Sequence, residues 1–107
     1  MYYFWKMARE LPRPPKEVDL HADAFIHQLD EYEADELLAE SIDLLREMLD
    51  AAIYWDYPEI RFIHGKGKGI LRKAVYEELA YYKRSGAIAN YHPSYRNEDV
   101  VVVVIGL

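Results

Sequence analysis

Residues 61–73 read Arg61-Phe62-Ile63-His64-Gly65-Lys66-Gly67-Lys68-Gly69-Ile70-Leu71-Arg72-Lys73. The order of residue types predicts the end of a buried strand, a glycine-rich turn and the start of a helix. Five cations and no acid occur in this stretch. Glycines let a backbone bend tightly and approach a ligand closely, and a helix that begins after such a turn directs unpaired N–H groups at an anion. The stretch therefore predicts an anion-binding loop or, alternatively, a structural turn with solvated lysines.

The composition limits the class of protein. A chain of 107 residues, 51% hydrophobic and 30% charged, suits one folded globular domain. The absence of cysteine excludes disulfides, thiolate nucleophiles and cysteine zinc sites. No apolar run reaches the length of a membrane span, and Lys6, Arg9 and Glu10 interrupt the apolar start, which argues against a signal peptide. We therefore expect a cytoplasmic protein without a membrane partner.

The charges are distributed unevenly. The net charge of −6 argues against a protein that coats nucleic acid non-specifically. Residues 23–50 contain ten acids and one cation, Arg46. All charged residues within 61–73 are cations. A basic patch on an acidic body suits a local, specific anion site.

The N-terminal sixteen residues differ in composition from the remainder. They begin with Tyr2, Tyr3, Phe4 and Trp5 and continue into a proline-rich segment that favours a stiff, extended linker. We divide the chain into an extension, residues 1–16, and a domain, residues 17–107. The aromatic start is expected to pack on its own domain or on a partner, including a second copy; alternatively, it is the end of a larger ancestral domain.

The hydrophobic pattern predicts the element order β-α-β-α-β-β. Strands are expected at residues 17–21, 59–64, 87–92 and 100–105, and amphipathic helices at 30–54 and 69–84. Asp30 is expected to cap the first helix in a capping box with Glu33, and Gly86 to end the second. The acids of the first helix are expected to form a solvated face.

These elements predict a two-layer α/β sandwich with a four-stranded mixed sheet. The first two strands are joined by a helix and run parallel, whereas the tight turn at residues 93–99 makes the last pair antiparallel. The unbroken apolar run of the last strand favours a central position, or burial on both of its faces.

Candidate catalytic residues lie at the ends of both parallel strands. Asp19 and His21 end the first strand and His64 ends the second, so all three can share the sheet edge where α/β proteins bind ligands. A histidine beside a carboxylate can act as a general acid or base, and Asp19 can instead hold a divalent cation. A zinc site from these three residues lacks compact ligand spacing. Structural histidines remain the alternative, and this is the interpretation for His27 and His92.

Known phosphate-binding motifs do not fit the loop. The third glycine, Gly69, falls one position too early for the dinucleotide-binding fingerprint, and no Gly-Lys-Ser/Thr is present for a P-loop. Lys66, Lys68 and Arg72 can nevertheless bind a phosphate and stabilise its developing charge.

Two segments resemble the Smr (small MutS-related) domain family. They are Val18-Asp19-Leu20-His21 and the run from Phe62 to Arg72, which resemble that family's Asp-Leu-His-Gly start and its His-Gly-Lys-Gly-x-Gly-x-Leu-Arg loop. The resemblance covers about residues 17–107. It implies a fold similar to the C-terminal domain of a bacterial translation initiation factor, and binding of DNA or RNA. Several family members are nicking or RNA endonucleases, alone or at the C-terminus of MutS2-type proteins.

The resemblance also implies roles for individual residues. The predicted catalytic residues are Asp19, His21 and His64, and the predicted phosphate-binding residues are Gly65, Lys66, Gly67, Lys68, Gly69 and Arg72. Mg²⁺ or Mn²⁺ is a candidate cofactor. Two departures stand out: Ala22 replaces the glycine after Asp-Leu-His, and the acidic turn Tyr95-Arg96-Asn97-Glu98-Asp99 replaces a Gly-x-Gly-Ala-Thr segment.

Two functions remain open at this point. The first is an endonuclease for DNA or RNA, with His21 as general base or acid. The second is a non-catalytic module that binds nucleic acid or a protein partner, through the aromatic segment or the acidic helix. The motif match favours the first, whereas the net charge, Ala22 and the acidic turn favour the second.

Overall fold

The computed structural model describes residues 11–67 and 69–106. The predicted aromatic contacts of residues 1–7 and the position of Lys68 therefore lie outside the described residues. Within them, the strands are β1 (Glu17–Asp19), β2 (Glu59–Ile63), β3 (Asn90–Pro93) and β4 (Val100–Val104), and the α-helices are α1 (Ala34–Tyr54) and α2 (Ile70–Arg84). Two short 3-10 helices, Ala22–Ala24 and Leu29–Glu31, connect β1 to α1.

The strands form one mixed sheet with the order β1-β2-β4-β3. β1 pairs with β2 in parallel, whereas β4 is antiparallel to both β2 and β3. This topology confirms the predicted four-stranded mixed sheet and the predicted central position of β4. The parallel register pairs Asp19 with Ile63, so the residues that follow these two strands emerge at the same edge of the sheet.

Both helices cover one face of the sheet and contact each other. Arg46 of α1 donates to Glu78 of α2 over 2.7 Å, and the hydroxyl of Tyr82 donates to Asp50 over 2.8 Å. The hydrogen bond with Glu78 is the main cause of a raised pKa at Arg46. Apolar side chains from the sheet and both helices then form one core: Val18, Leu20, Leu45, Leu49, Ala52, Ile60, Phe62, Val75, Leu79, Ile88, Val101 and Val103.

The last strand is buried on both faces, as its sequence predicts. Val101 and Val103 belong to the core, while Val100 and Val102 on the other face are 6% and 4% exposed. The alternation predicted for the first strand is also confirmed. Val18 and Leu20 are buried, whereas Asp19 and His21 are partly exposed.

The predicted start of the first helix is wrong. Asp30 lies in a 3-10 helix, and α1 begins at Ala34 with Glu33 as its N-cap residue. The capping box forms between Glu33 and Glu36, so the acidic pair three residues further along satisfies the first N–H groups of the helix.

Each of the four strands is shorter than predicted, β1 and β3 by two residues and β2 and β4 by one. β1 ends at Asp19 because the Asp19 carboxylate accepts a hydrogen bond from the backbone N–H of His21 (2.9 Å), which turns the chain. β3 begins at Asn90 and not at residue 87. The chain leaves α2 through Gly86, which has φ +83°, and the N–H of Ala87 still donates to Tyr82, so these residues complete the helix end.

The described part of the N-terminal extension lies against the domain. Trp55 donates its indole N–H to the carbonyl of Leu11 over 2.7 Å, the hydroxyl of Tyr57 donates to Pro14, and Arg61 N–H donates to Lys16. Residues 11–16 thus run along the end of α1 towards β1. The division of the chain at residue 17 stays a prediction. Across the described ranges, neither helix is long and apolar enough to cross a membrane.

Candidate functional site

Asp19 and His21 form a pair just beyond β1. Oδ1 of Asp19 accepts hydrogen bonds from both the backbone N–H of His21 (2.9 Å) and its ring Nδ1 (2.7 Å). Because the carboxylate holds the proton at Nδ1, a neutral His21 ring carries its lone pair on Nε2. Both side chains are nearly half exposed, at 44% and 45%. The pair therefore presents an oriented imidazole that can exchange a proton with a bound molecule.

The ring of His21 packs on the backbone of Gly65, which follows β2. A Cβ added to Gly65 would lie 2.0 Å from His21 Nε2, and Gly65 has φ +73°. Both facts require glycine here, since other residues rarely adopt this conformation and real Cβ atoms never approach so closely. The structure thus brings together the two predicted segments, with Nε2 facing the start of the glycine-rich loop.

The loop continues into α2. Gly67 and Gly69 also have positive φ, and Gly69 is the N-cap residue of α2 without a side-chain cap. The first turn of α2 contains no acid, and its leading N–H groups have no partner within the helix. Lys66 and Arg72 are exposed beside this turn. This arrangement has the positive dipole end and the cations that an anion prefers.

Arg72 lies over the ring of Tyr76, one turn further along α2. Its guanidinium carbon is 5.4 Å from the ring centroid, within the range of a cation–π contact. Tyr76 also contacts His64 edge to face, at 6.1 Å between ring centroids. Sequence reasoning missed Tyr76, although its spacing of four residues from Arg72 on a helix was a usable signal.

His64 is placed differently from His21. It is 4% exposed, and its Nδ1 donates to the carbonyl oxygen of Gly65 over 2.9 Å. Its Nε2 is buried and has no hydrogen-bond partner among the described residues. The predicted catalytic role of His64 stays a prediction. Its burial and its bond to Gly65 fit a residue that positions the loop.

The acidic turn of residues 95–99 reaches the same edge of the sheet. The carbonyl oxygen of Asp99 accepts hydrogen bonds from the N–H groups of His64 (2.9 Å) and Gly65 (3.1 Å). These two donors are therefore occupied, and an anion at the loop has to use the later N–H groups and the side chains of Lys66 and Arg72. The sequence pattern singles out the acidic turn as a departure from the family motif, but it does not predict that a backbone carbonyl of the turn contacts the loop.

The two remaining histidines lie away from this site, and the described residues contain no cluster of metal ligands. His27 is exposed in the connection to α1. His92, on the edge strand β3, donates from Nδ1 to Pro93 and stacks on Tyr95. In residues 11–67 and 69–106, no three His, Asp or Glu side chains converge as metal ligands. The described side chains do not fit a closed metal centre, and we derive no chemical step through one.

Fold and site together define a small α/β sandwich domain with a histidine–aspartate pair against a basic glycine loop. The family model of the Smr domain matches residues 26–106, and the chain belongs to this family. The match begins after β1, so the placement of Asp19 and His21 is established by the geometry described above.

Relatives and a solved structure agree with this assignment. The chain is 42% identical over 48 residues to Endonuclease MutS2 of Symbiobacterium thermophilum, covering 45% of this chain and 6% of that protein. It is 38% identical over 66 residues to Endonuclease MutS2 of Geobacillus sp., covering 62% of this chain and 8% of that protein. The chain thus spans less than a tenth of the length of these relatives. The crystal structure of the Smr domain of Thermus thermophilus MutS2 superposes with a TM-score of 0.64 and 25% identity, covering 87% of this chain and all of that one.

Proposed function

We propose that this domain binds the phosphate backbone of DNA or RNA at the glycine loop and hydrolyses a phosphodiester bond there. The observation that supports this most directly is the position of His21. Its Nε2 lies against Gly65, while Nδ1 is held by Asp19. The relatives named above are endonucleases by name, which agrees with a hydrolytic role.

The proposed reaction assigns one task to each group. His21 Nε2 accepts a proton from the attacking water as the oxygen bonds to phosphorus, and Asp19 stabilises the imidazolium that forms. Lys66 and Arg72 compensate the negative charge that develops on the phosphate oxygens. The N–H groups at the start of α2 that have no partner within the helix fix the phosphate in position. The bond to the leaving oxygen then breaks, and that oxygen takes a proton from the imidazolium or from solvent.

A divalent cation is a separate candidate that the proposed reaction does not require. Mg²⁺ or Mn²⁺ would screen the phosphate charge and orient the water, with the Asp19 carboxylate as the available oxygen donor in the described site. Because Asp19 already accepts two hydrogen bonds from His21, a cation would compete with the orientation of the imidazole.

The direct test is a cleavage assay with the purified domain. Supercoiled plasmid and a structured RNA are incubated with the protein in Mg²⁺, in Mn²⁺ or in EDTA, and the products are separated on gels. We expect nicked circles or discrete RNA fragments in at least one condition. Intact substrates in every condition, from a folded protein that still binds them, would contradict the hydrolytic part of the proposal.

Removing a loop cation should weaken binding to nucleic acid. Lys66→Ala and Arg72→Ala should each lower affinity and reduce the slope of log K against log salt by about one phosphate contact. The slope is measured by fluorescence anisotropy with a labelled oligonucleotide at several salt concentrations. Arg84→Ala is the matched control, because Arg84 is exposed at the opposite end of α2. Equal slopes for all three variants would contradict an anion site at the glycine loop.

The alternative function is a non-catalytic binding module. It is favoured by the acidic turn, whose Asp99 carbonyl occupies two N–H groups at the loop, and by the exposed acids of α1. In that case the protein binds nucleic acid, or a partner protein or second copy through the acidic helix or the aromatic segment, without cleaving. Retained binding with no cleavage in the assay above would select this alternative.

A further inference from the structure

An apolar hollow lies beside the candidate site. It has a volume of about 430 Å³, within the range of small-molecule sites. The hollow opens between the starts of α1 and α2, and His21 lies on its wall. Six of the other lining side chains are aliphatic and two are polar, Asp35 and Ser41; the aliphatic ones are Ala22, Ala34, Leu37, Leu38, Ile70 and Leu71.

The hollow is continuous with the proposed phosphate site. His21 lines the hollow and also packs on Gly65. Ile70 and Leu71 directly follow Gly69, the N-cap residue of α2. A phosphate at the start of α2 therefore has an apolar surface on one side, within the same few residues.

Ile70 is an exposed aliphatic residue at the start of α2. It is 61% exposed, whereas Val75 and Leu79 of the same helix are fully buried in the core. Its side chain therefore does not serve the core. Because Ile70 is exposed beside the proposed phosphate site, its side chain can make an apolar contact with the ligand.

We propose that this hollow receives one unpaired base of the bound nucleic acid. The proposal rests on the proposed function, since it places the base of a nucleotide whose phosphate lies at the loop. A base inside a duplex is covered on both faces by its neighbours, so only a single-stranded or extruded nucleotide can enter an apolar pocket. The substrate class is therefore an unpaired segment of DNA or RNA.

Filling the hollow provides the test. Ala34→Phe places a large ring at an exposed position that lines the hollow, and Ala39→Phe places the same ring at an exposed position of α1 that does not line it. Binding is measured by fluorescence anisotropy with a labelled single-stranded 12-mer and with the same sequence as a duplex, each as DNA and as RNA. Ile70→Ser is a second variant that removes an apolar wall without disturbing the core.

We expect the unaltered domain to prefer the single strand. Ala34→Phe and Ile70→Ser should weaken single-strand binding about tenfold and leave duplex binding unchanged, since a base contact of this kind is of that size. Ala39→Phe should match the unaltered domain. Single-strand binding that survives in both Ala34→Phe and Ile70→Ser overturns the inference, and so does an equal loss on single strand and duplex.

The same assay separates this inference from the proposed function. If Lys66→Ala weakens binding while Ala34→Phe and Ile70→Ser do not, the phosphate site is supported and the base pocket is refuted. If neither Lys66→Ala nor Arg72→Ala weakens binding of any ligand, the phosphate site itself is refuted, and the base pocket with it. The DNA and RNA arms show which sugar the site prefers.

Discussion

His21→Ala should lower the rate of phosphodiester cleavage by about 10²–10⁴-fold, the usual contribution of a general acid or base. The side chain is nearly half exposed and is not part of the hydrophobic core, so the free energy of unfolding should change little. Binding should persist, because the loop cations and the start of α2 remain. Initial rates on the substrate that the domain cleaves, together with anisotropy and thermal unfolding, measure the three quantities.

Asp19→Asn refines this test. The amide can still contact His21, but it cannot stabilise an imidazolium as a carboxylate does. We expect a loss of cleavage in the same direction, with binding retained. His27→Ala is the matched control, as an exposed histidine in the connection between β1 and α1. If His21→Ala cleaves at the same rate as His27→Ala, His21 is neither the general acid nor the general base of the reaction.

Much of this site follows from local sequence rules. A helix between two strands makes them parallel, and parallel strands end at one edge, so the order of elements alone places Asp19 and His64 together. The alternation of β1 turns His21 away from the core. The glycines at 65, 67 and 69 indicate a backbone with positive φ, and all three have it.

The remainder depends on contacts between distant residues. His21 lies on Gly65 because β1 and β2 pair in one particular register, and sequence spacing alone does not fix that register. His64 is buried because the loop and the side chain of Tyr76 close around it. The sequence pattern treats His21 and His64 as equivalent strand-ending histidines, yet one is accessible and the other is not.

The start of α1 differs from its predicted position because the sequence contains two possible capping boxes. Asp30 with Glu33 and Glu33 with Glu36 both have the spacing of a capping box. The structure uses the second pair. The three residues Leu29–Glu31 form a 3-10 helix before it, and the added length lets α1 begin beside the hollow near His21.

Gly65→Ala should abolish most cleavage without removing any charged or titratable group. The new methyl group would lie 2.0 Å from Nε2 of His21, so the imidazole has to leave its position over the loop. The contact between His21 and Asp19 would be lost or distorted at the same time. We expect a loss of rate comparable with that of His21→Ala, measured in the same cleavage assay.

The stability of this variant requires a control, because Gly65 has φ +73°. An alanine in this region costs about 1–2 kcal/mol in any protein. Gly86→Ala carries the same strain, with φ +83°, and no neighbouring atom lies within 4 Å of the added methyl group. Urea unfolding of both variants therefore separates backbone strain, which they share, from the clash with His21, which only Gly65→Ala has.

A double-mutant cycle measures the coupling between residues 21 and 65. In a His21→Ala background the methyl group at residue 65 meets no imidazole, so Gly65→Ala should cost only as much as Gly86→Ala. The difference between the two backgrounds is the coupling between the first segment and the loop, and we expect about 1 kcal/mol or more. Additive costs, together with normal cleavage by Gly65→Ala, would mean that His21 does not rest on Gly65 in solution, and the proposed proton transfer at the loop would lose its geometric basis.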